Sequence, residues 1–272
     1  MKKITVSILL AVVLVLSSVN MVSAITDGYP DGDGHPYVVL LLMDVDGAPA
    51  YRCSGTLLSA TVLLTAGHCA GAPGEFSGMR VFTESDVQNG DNTYPFAGGP
   101  NSVEAVSWAA HPDYPNPSFV YHDVGVVILE EPGVVLSSYG TLPTVNQLDA
   151  LKTKRGLKDV TFTAVGYGLQ KSFPTAVAYK NSKLKIRMVA TPRLLQINVP
   201  GFTGDFSMLL SNNANTGGTC FGDSGGPNFV GNSNVVAGVT SFGINGNCAG
   251  TGGVFRMDRQ NVINFVNGYL TP

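Results

Sequence analysis

Cys220-Phe221-Gly222-Asp223-Ser224-Gly225-Gly226-Pro227 is the stretch on which the reading of this chain turns. Glycines on both sides of Ser224 let the backbone bend tightly, which exposes the hydroxyl and lets the N–H groups of Gly222 and Ser224 point at one spot. Such a pair of donors can receive the oxyanion formed when a carbonyl carbon is attacked. Gly-Asp-Ser-Gly alone is also compatible with an ordinary turn, so the rest of the chain has to decide.

Two further residues bear on it. Thr65-Ala66-Gly67-His68-Cys69 follows the apolar run Thr61 to Leu64, which places His68 just beyond a buried strand and beside a cysteine that can fix the loop. A lone histidine there is commonly structural, yet imidazole is the side chain best suited to take a serine proton near neutral pH. Asp123 opens Asp123-Val124-Gly125-Val126-Val127-Ile128-Leu129. An acid leading into so apolar a strand is expected to be buried, and a buried carboxylate needs a partner. Its plainer role would be that of a strand-end residue.

With these residues in place the chain resembles the trypsin/chymotrypsin family of serine proteases along nearly all of its length. His68, Asp123 and Ser224 follow that family's chain order of His, Asp, Ser. Cys53-Ser54-Gly55-Thr56-Leu57-Leu58 resembles the strand before the family's histidine, His111-Pro112-Asp113-Tyr114 a loop between histidine and aspartate, and Ser241-Phe242-Gly243 the substrate-binding strand. The resemblance implies an all-β fold of two six-stranded antiparallel Greek-key barrels with a C-terminal helix and the active site in the cleft between them. It implies acyl transfer on protein or peptide substrates. Ser224 would be the nucleophile, His68 the general base, Asp123 the group that orients it, and Gly222 and Ser224 the oxyanion hole. Ser241 would support Asp123, and Ser241 to Gly243 would pair with extended substrate.

The resemblance also selects one of the three pairings open to four cysteines, Cys53–Cys69 and Cys220–Cys248. It assigns Gly218, Thr219, Phe242, Gly243 and Gly253 to the specificity pocket. Gly218 supplies no charge where trypsin-like members place an aspartate, so apolar or aromatic residues are expected before the cleaved bond. Ile25-Thr26-Asp27-Gly28-Tyr29 resembles the family's activated N-terminus, which implies an ion pair between the Ile25 ammonium and Asp223. Gly67, Phe221 and Phe242 depart from the usual alanine, polar residue and tryptophan. A further disulfide of the second barrel is absent, so the loops between about Gly168 and Asn181 are expected to be more mobile than in the family's animal enzymes. Glu84, Asp86 and Asp91 fall where some relatives bind calcium, but their irregular spacing argues against a site. No cofactor is required. His35, His111 and His122 show no metal-site spacing, so no metal site is expected.

Composition agrees with this reading. Lys2-Lys3, the apolar run Ile8 to Leu16 and Val22-Ser23-Ala24 form a secretory signal peptide, with cleavage expected after Ala24 and a secreted, extracellular product. The apolar core is about half the ~20 residues a membrane span needs. Without Lys2 and Lys3 the chain keeps 14 basic residues against 19 acidic, a formal balance of −5 that speaks against a nucleic-acid partner. The cluster Lys152, Lys154, Arg155 and Lys158 is read as a solvated loop. Charged residues make up only 13%, with 33 glycines and 16 prolines, a loop-rich extracellular composition in which four exported cysteines favour disulfides.

Short apolar runs at Tyr37 to Met43, Thr56 to Thr65, Val103 to Ala110, Val124 to Leu129, Val160 to Val165, Phe206 to Leu210 and Val235 to Phe242 predict antiparallel strands. Val262, Phe265, Val266, Tyr269 and Leu270 form one apolar stripe and predict a closing helix. The expected organisation is a signal peptide over 1–24, an N-terminal barrel over 25–145, and a C-terminal barrel with its helix over 146–272. A protease-fold binding protein without catalysis is the alternative function, although this chain keeps every residue that such relatives tend to lose. Oligomeric state is not legible in the sequence.

Overall fold

The structure is a computed structural model that describes residues 25–151 and 160–270; the segment expected to be a signal peptide and the basic cluster at 152–158 lie outside the described residues. Six strands close the first barrel: β2 (Val38–Val45), β3 (Ala48–Leu57), β4 (Val62–Thr65), β5 (Gly78–Phe82), β6 (Ser102–Ala110) and β7 (Gly125–Leu129), in the order β2-β3-β4-β7-β6-β5. Closure leaves no open edge and explains why strands such as Val-Leu-Leu-Thr in β4 and Gly-Val-Val-Ile-Leu in β7 are so apolar. The run expected as one strand over Thr56 to Thr65 is a hairpin instead. Ser59 turns the chain, accepting the Val62 N–H on its Oγ at 3.1 Å, so the run is divided between the end of β3 and all of β4.

The second sheet is built on β8 (Phe162–Gly166), β9 (Met188–Ala190), β11 (Gly204–Asn212), β12 (Pro227–Val230), β13 (Val236–Gly243) and β14 (Gly250–Arg256). These six are neighbours in the order β9-β8-β12-β13-β14-β11, flanked by the two-residue β1 (Tyr29–Pro30) and by β10 (Leu194–Val199), so the curled sheet has eight strands. Short helices α1 (Gly67–Ala70) and α2 (Thr175–Asn181) lie in loops, and α3 (Gln260–Leu270) ends the fold. On α3, Val262, Ile263 and Val266 are buried, and the helix lies against β4 and β7 of the first barrel. Ile263 was outside the expected stripe, and Tyr269 within it is exposed. None of the described helices is long and apolar enough to cross a membrane.

Ser54 couples the two halves. Its N–H donates to the Ser224 carbonyl at 2.8 Å, its Oγ donates to the Gly222 carbonyl at 3.0 Å, and the same Oγ accepts the Tyr167 N–H at 2.9 Å. A residue of β3 therefore fixes both the Ser224 turn and the chain leaving β8. Arg187 is a second bolt. Fully buried, it pairs with Asp31 at 2.9 Å and donates to the carbonyls of Gly32, Val38 and Thr83.

Candidate active site

β4 delivers His68 to the cleft on the single turn of α1, where Cys69 is bonded to Cys53 of β3. Gly67 has a steric reason to depart from alanine: a Cβ there would lie 3.0 Å from the Tyr114 ring and 3.1 Å from the Val124 nitrogen. Asp123 sits just before β7 and is fully buried. Its Oδ1 accepts the His68 backbone N–H at 2.9 Å, and the imidazole Nδ1 lies 3.1 and 3.0 Å from its two oxygens. Ser241 Oγ on β13 donates to Oδ2 at 2.5 Å. With acceptors on one side only, this arrangement places the hydrogen on Nδ1 and leaves Nε2 with a lone pair. Burial pulls the His68 pKa down, but the charge of Asp123 and its hydrogen bond outweigh that and hold it above the usual imidazole value.

Ser224 lies in the turn between β11 and β12 and shares a cavity of about 370 Å³ with His68. The two side chains are not hydrogen-bonded in this structure, a separation common before substrate binds. Gly222 (φ +96°) and Gly225 (φ +75°) both occupy the left-handed region. A Cβ on Gly225 would sit 2.0 Å from Thr65 Oγ1, so the close approach of the Ser224 turn to β4 requires glycine there. Among the described residues no protein acceptor takes the N–H of Gly222 or Ser224.

Beside Ser224 a narrow cavity of about 100 Å³ is lined by Thr219, Thr240, Phe242, Gly243, Thr251 and the Cys220–Cys248 disulfide, and no carboxylate lines it. Two expectations are corrected here. Gly218 does not line the cavity: its N–H donates to the Thr26 carbonyl at 3.0 Å, and a Cβ on it would point into Asn212. Gly253 does not line it either, because the Phe242 ring lies over it, 2.3 Å from where a Cβ would stand. Sequence reasoning missed Thr251, whose glycine neighbours hid the strand β14. At the cavity mouth, β12 pairs with β13 only as far as Val239, and Thr240 bonds to Gly225 and Gly226. One edge of Ser241 to Gly243 is left open beyond that point.

The Ile25 side chain is fully buried against Ala164, Met188 and Ala190. Asp223 is fully buried as well, and its carboxylate accepts N–H groups from Gly168 and Cys220, each at 2.8 Å. Among the described residues it has no ion-pair partner in the intact chain, and burial pushes its pKa up to about 7.

The remaining titratable groups take other positions. Glu84 is held within its own loop by the Asp91 N–H and the side chains of Asn92 and Asn101, whereas Asp86 bonds Asn89. His35 pairs with Asp31. His111 and His122 stack with ring centroids 4.9 Å apart. With Asp113 they bring three potential ligand atoms within 4.8 Å of one another, a proximity their spacing in the sequence does not reveal. The Asp113 N–H donates to His111 Nδ1 at 3.2 Å.

The family model described as Trypsin matches residues 26–264. Chymase of Papio hamadryas is 25% identical over 212 residues, 76% of each chain. Brachyurin of Leptuca pugilator is 27% identical over 202 residues, 73% of this chain and 78% of its own. Among solved structures, HL collagenase superposes with a TM-score of 0.66 at 20% identity, covering 90% of this chain and 98% of its own. A mutant of human heparin binding protein gives 0.65 at 17% identity, covering 90% and 96%. These two likenesses speak to the fold alone. The match of the family model over almost the whole described chain, on a closed six-stranded barrel and curled sheet that meet at His68, Asp123 and Ser224, means that the chain belongs to the trypsin family.

Proposed function

We propose that the protein is a secreted serine endopeptidase in which Ser224 is the nucleophile, His68 the general base and Asp123 the residue that positions the histidine. The observation that carries this reading is the aim of the buried Asp123 carboxylate at His68 Nδ1, which leaves Nε2 with its lone pair on a histidine that lines the same cavity as Ser224. Ser224 Oγ attacks the scissile carbonyl as its proton moves to His68 Nε2, and the carbonyl electron pair collects on the oxygen facing the N–H groups of Gly222 and Ser224. Collapse of that intermediate breaks the C–N bond, and the proton on His68 goes to the departing amine. Water then repeats the sequence on the acyl-enzyme. Two disulfides suit an oxidising compartment.

Specificity follows from the narrow cavity. With threonine side chains, Phe242 and a disulfide as its walls and no carboxylate at its base, it suits an uncharged residue, and its size favours Leu or Met over larger rings. We further propose that removal of residues 1–24 frees an ammonium on Ile25 that pairs with Asp223.

A binding protein on the same fold is the second reading, and the lack of a Ser224–His68 hydrogen bond is the observation in its favour. Treating the purified mature protein with a fluorophosphonate separates the two. Stoichiometric labelling that disappears in Ser224→Ala supports the enzyme, and a folded mature protein that takes no label overturns it.

A further inference from the structure

Every buried arginine among the described residues has a carboxylate partner: Arg80 pairs with Asp44, Arg187 with Asp31, and Arg256 and Arg259 with Asp149. Two other sequestered cations lack one. Lys185 is only 6% exposed, and half-buried Arg52 lies close by. Both spend donors on a single carbonyl, that of Ser182, with Arg52 Nη1 at 2.8 Å and Lys185 Nζ at 2.5 Å. Arg52 adds the Leu184 carbonyl at 3.2 Å. Sharing an acceptor holds two like charges within a few ångströms of each other. The cost shows in both: burial lowers the Arg52 pKa, and burial together with Arg52 pulls Lys185 down to about 7.

The pair sits in a groove of about 460 Å³ whose walls include Tyr51, Arg52, Tyr94, Lys185, Phe221 and Gly222. No carboxylate lines this groove. It continues from the cavity that contains His68 and Ser224, because Tyr51 and Arg52 line both. The narrow cavity at Thr219 and Thr240, with the Ser241 to Gly243 strand in its lining, shares Ser224 with that cavity but neither Tyr51 nor Arg52. A peptide with its acyl half along Ser241 to Gly243 and its scissile carbonyl at Gly222 then has the groove of Tyr51 and Arg52 open to its leaving-group half. Asp223 also acts on Arg52, but it is fully buried with its oxygens on the Gly168 and Cys220 N–H groups, so it does not occupy the groove.

We propose that the Arg52–Lys185 groove binds a carboxylate on the leaving-group side of the substrate, so that the protease prefers Asp or Glu two or three residues after the cleaved bond. This rests on the endopeptidase reading above. The carboxylate supplies the counter-charge that half-buried Arg52 and its buried neighbour Lys185 lack, and a charge-assisted bond to Arg52 is the stronger kind. The remaining donors of Arg52 and Lys185 are directed by their ties to Ser182 and Leu184, so the site is held before substrate arrives.

The test uses mature protein and amidated, internally quenched peptides that differ only in the second and third residues after the scissile bond: Glu, Gln or Lys. A companion peptide with neutral residues there ends in a free carboxylate at the second position, which distinguishes a chain terminus from a side chain as the source of charge. The expected result is a kcat/KM for Glu about five- to thirtyfold above that for Gln, diminished by salt, with Lys lowest. In Arg52→Gln combined with Lys185→Gln the Glu-to-Gln ratio falls to within about twofold of unity, whatever the absolute rate, and Arg52→Lys retains most of the ratio. A wild-type ratio near one, or a Lys preference, overturns the subsite while leaving the endopeptidase standing. A preference shown only by the free terminus overturns the side-chain assignment. If nothing is cleaved, anisotropy of the same peptides in fluorescent form with Ser224→Ala protein decides: tighter binding of the Glu peptide keeps the subsite without the protease, and equal binding removes both.

Discussion

At the scale of single residues, Asp123 shows how a buried charge acquires a task. Three donors, the His68 N–H, the His68 Nδ1–H and the Ser241 hydroxyl, satisfy its carboxylate in a site without solvent, so the cost of burial is offset only while His68 keeps its orientation. Replacing Asp123 by Asn keeps the shape and offers Nδ1 the wrong hydrogen-bonding partner. Turnover should fall by about 10⁴-fold with little change in KM. A second signature separates this from general damage. His68 must be neutral to accept the serine proton, so kcat/KM falls as pH drops through its pKa. In the wild type that midpoint lies above the ordinary imidazole value, because the charge of Asp123 favours the imidazolium despite burial. Asp123→Asn removes the attraction and leaves the burial, so the acid limb should move to lower pH. A pH–rate profile that keeps its acid limb in the variant would show that Asp123 does not govern His68.

At the scale of elements, the two disulfides brace the segments that hold the proposed catalytic residues His68 and Ser224. Cys220–Cys248 links the Ser224 turn to the connection between β13 and β14, across 28 residues of sequence. Replacing both cysteines by serine should lower stability by about 2–5 kcal/mol and Tm by roughly 5–15 °C. It should also raise KM, because Thr219 and Thr251, which line the proposed specificity cavity close to the bonded cysteines, lose their tie; unchanged KM in a folded variant would separate the bond from the pocket. That pocket predicts cleavage after Leu or Met in preference to Lys or Arg, measurable by competition in a peptide library, and a dominant Lys or Arg would contradict its uncharged lining. Strands such as β2 and β7 were legible because their apolar runs are long and bounded by turn residues. β14 was not, because Gly250-Thr251-Gly252-Gly253 lacks the branched side chains that mark a strand, and its glycines make room for Thr219 and the Phe242 ring. For the same reason Gly253 was read as a wall of the specificity pocket and not as a glycine lying beneath Phe242. His68, Asp123 and Ser224 were legible through local motifs. Arg52 and Lys185 carry no such mark, since their proximity is made by a tertiary contact at the Ser182 carbonyl.

At the scale of the whole molecule, the N-terminal segment is anchored before any bond is cut. Arg187 holds Asp31, Thr26 bridges Gly218, and the Ile25 side chain already fills its place among Ala164, Met188 and Ala190. Cleavage before Ile25 therefore needs no large rearrangement of residues 25–31; what it adds is a cation. In the intact chain Asp223 is buried with two backbone N–H groups and no ion pair among the described residues, and its pKa is raised from 3.8 to about 7. A carboxylate with a folded pKa above its unfolded value binds more protons in the folded state, so the intact chain should lose stability as pH rises from about 4 to about 7. An ammonium beside Asp223 lowers that pKa toward or below the unfolded value, so the mature form should lose little stability between about pH 4 and about pH 7. Asp223→Asn should accordingly raise Tm of the intact chain at pH 8, yet lower it in the mature form and abolish most activity by loosening the Gly222 turn. The measurement is thermal unfolding of both forms, each with and without the substitution, at pH 5 and pH 8, on protein whose terminus has been sequenced. A mature form beginning at Ile25 whose stability still declines toward pH 8, or whose activity survives acetylation of that terminus, would show that export does not switch the enzyme on through Asp223.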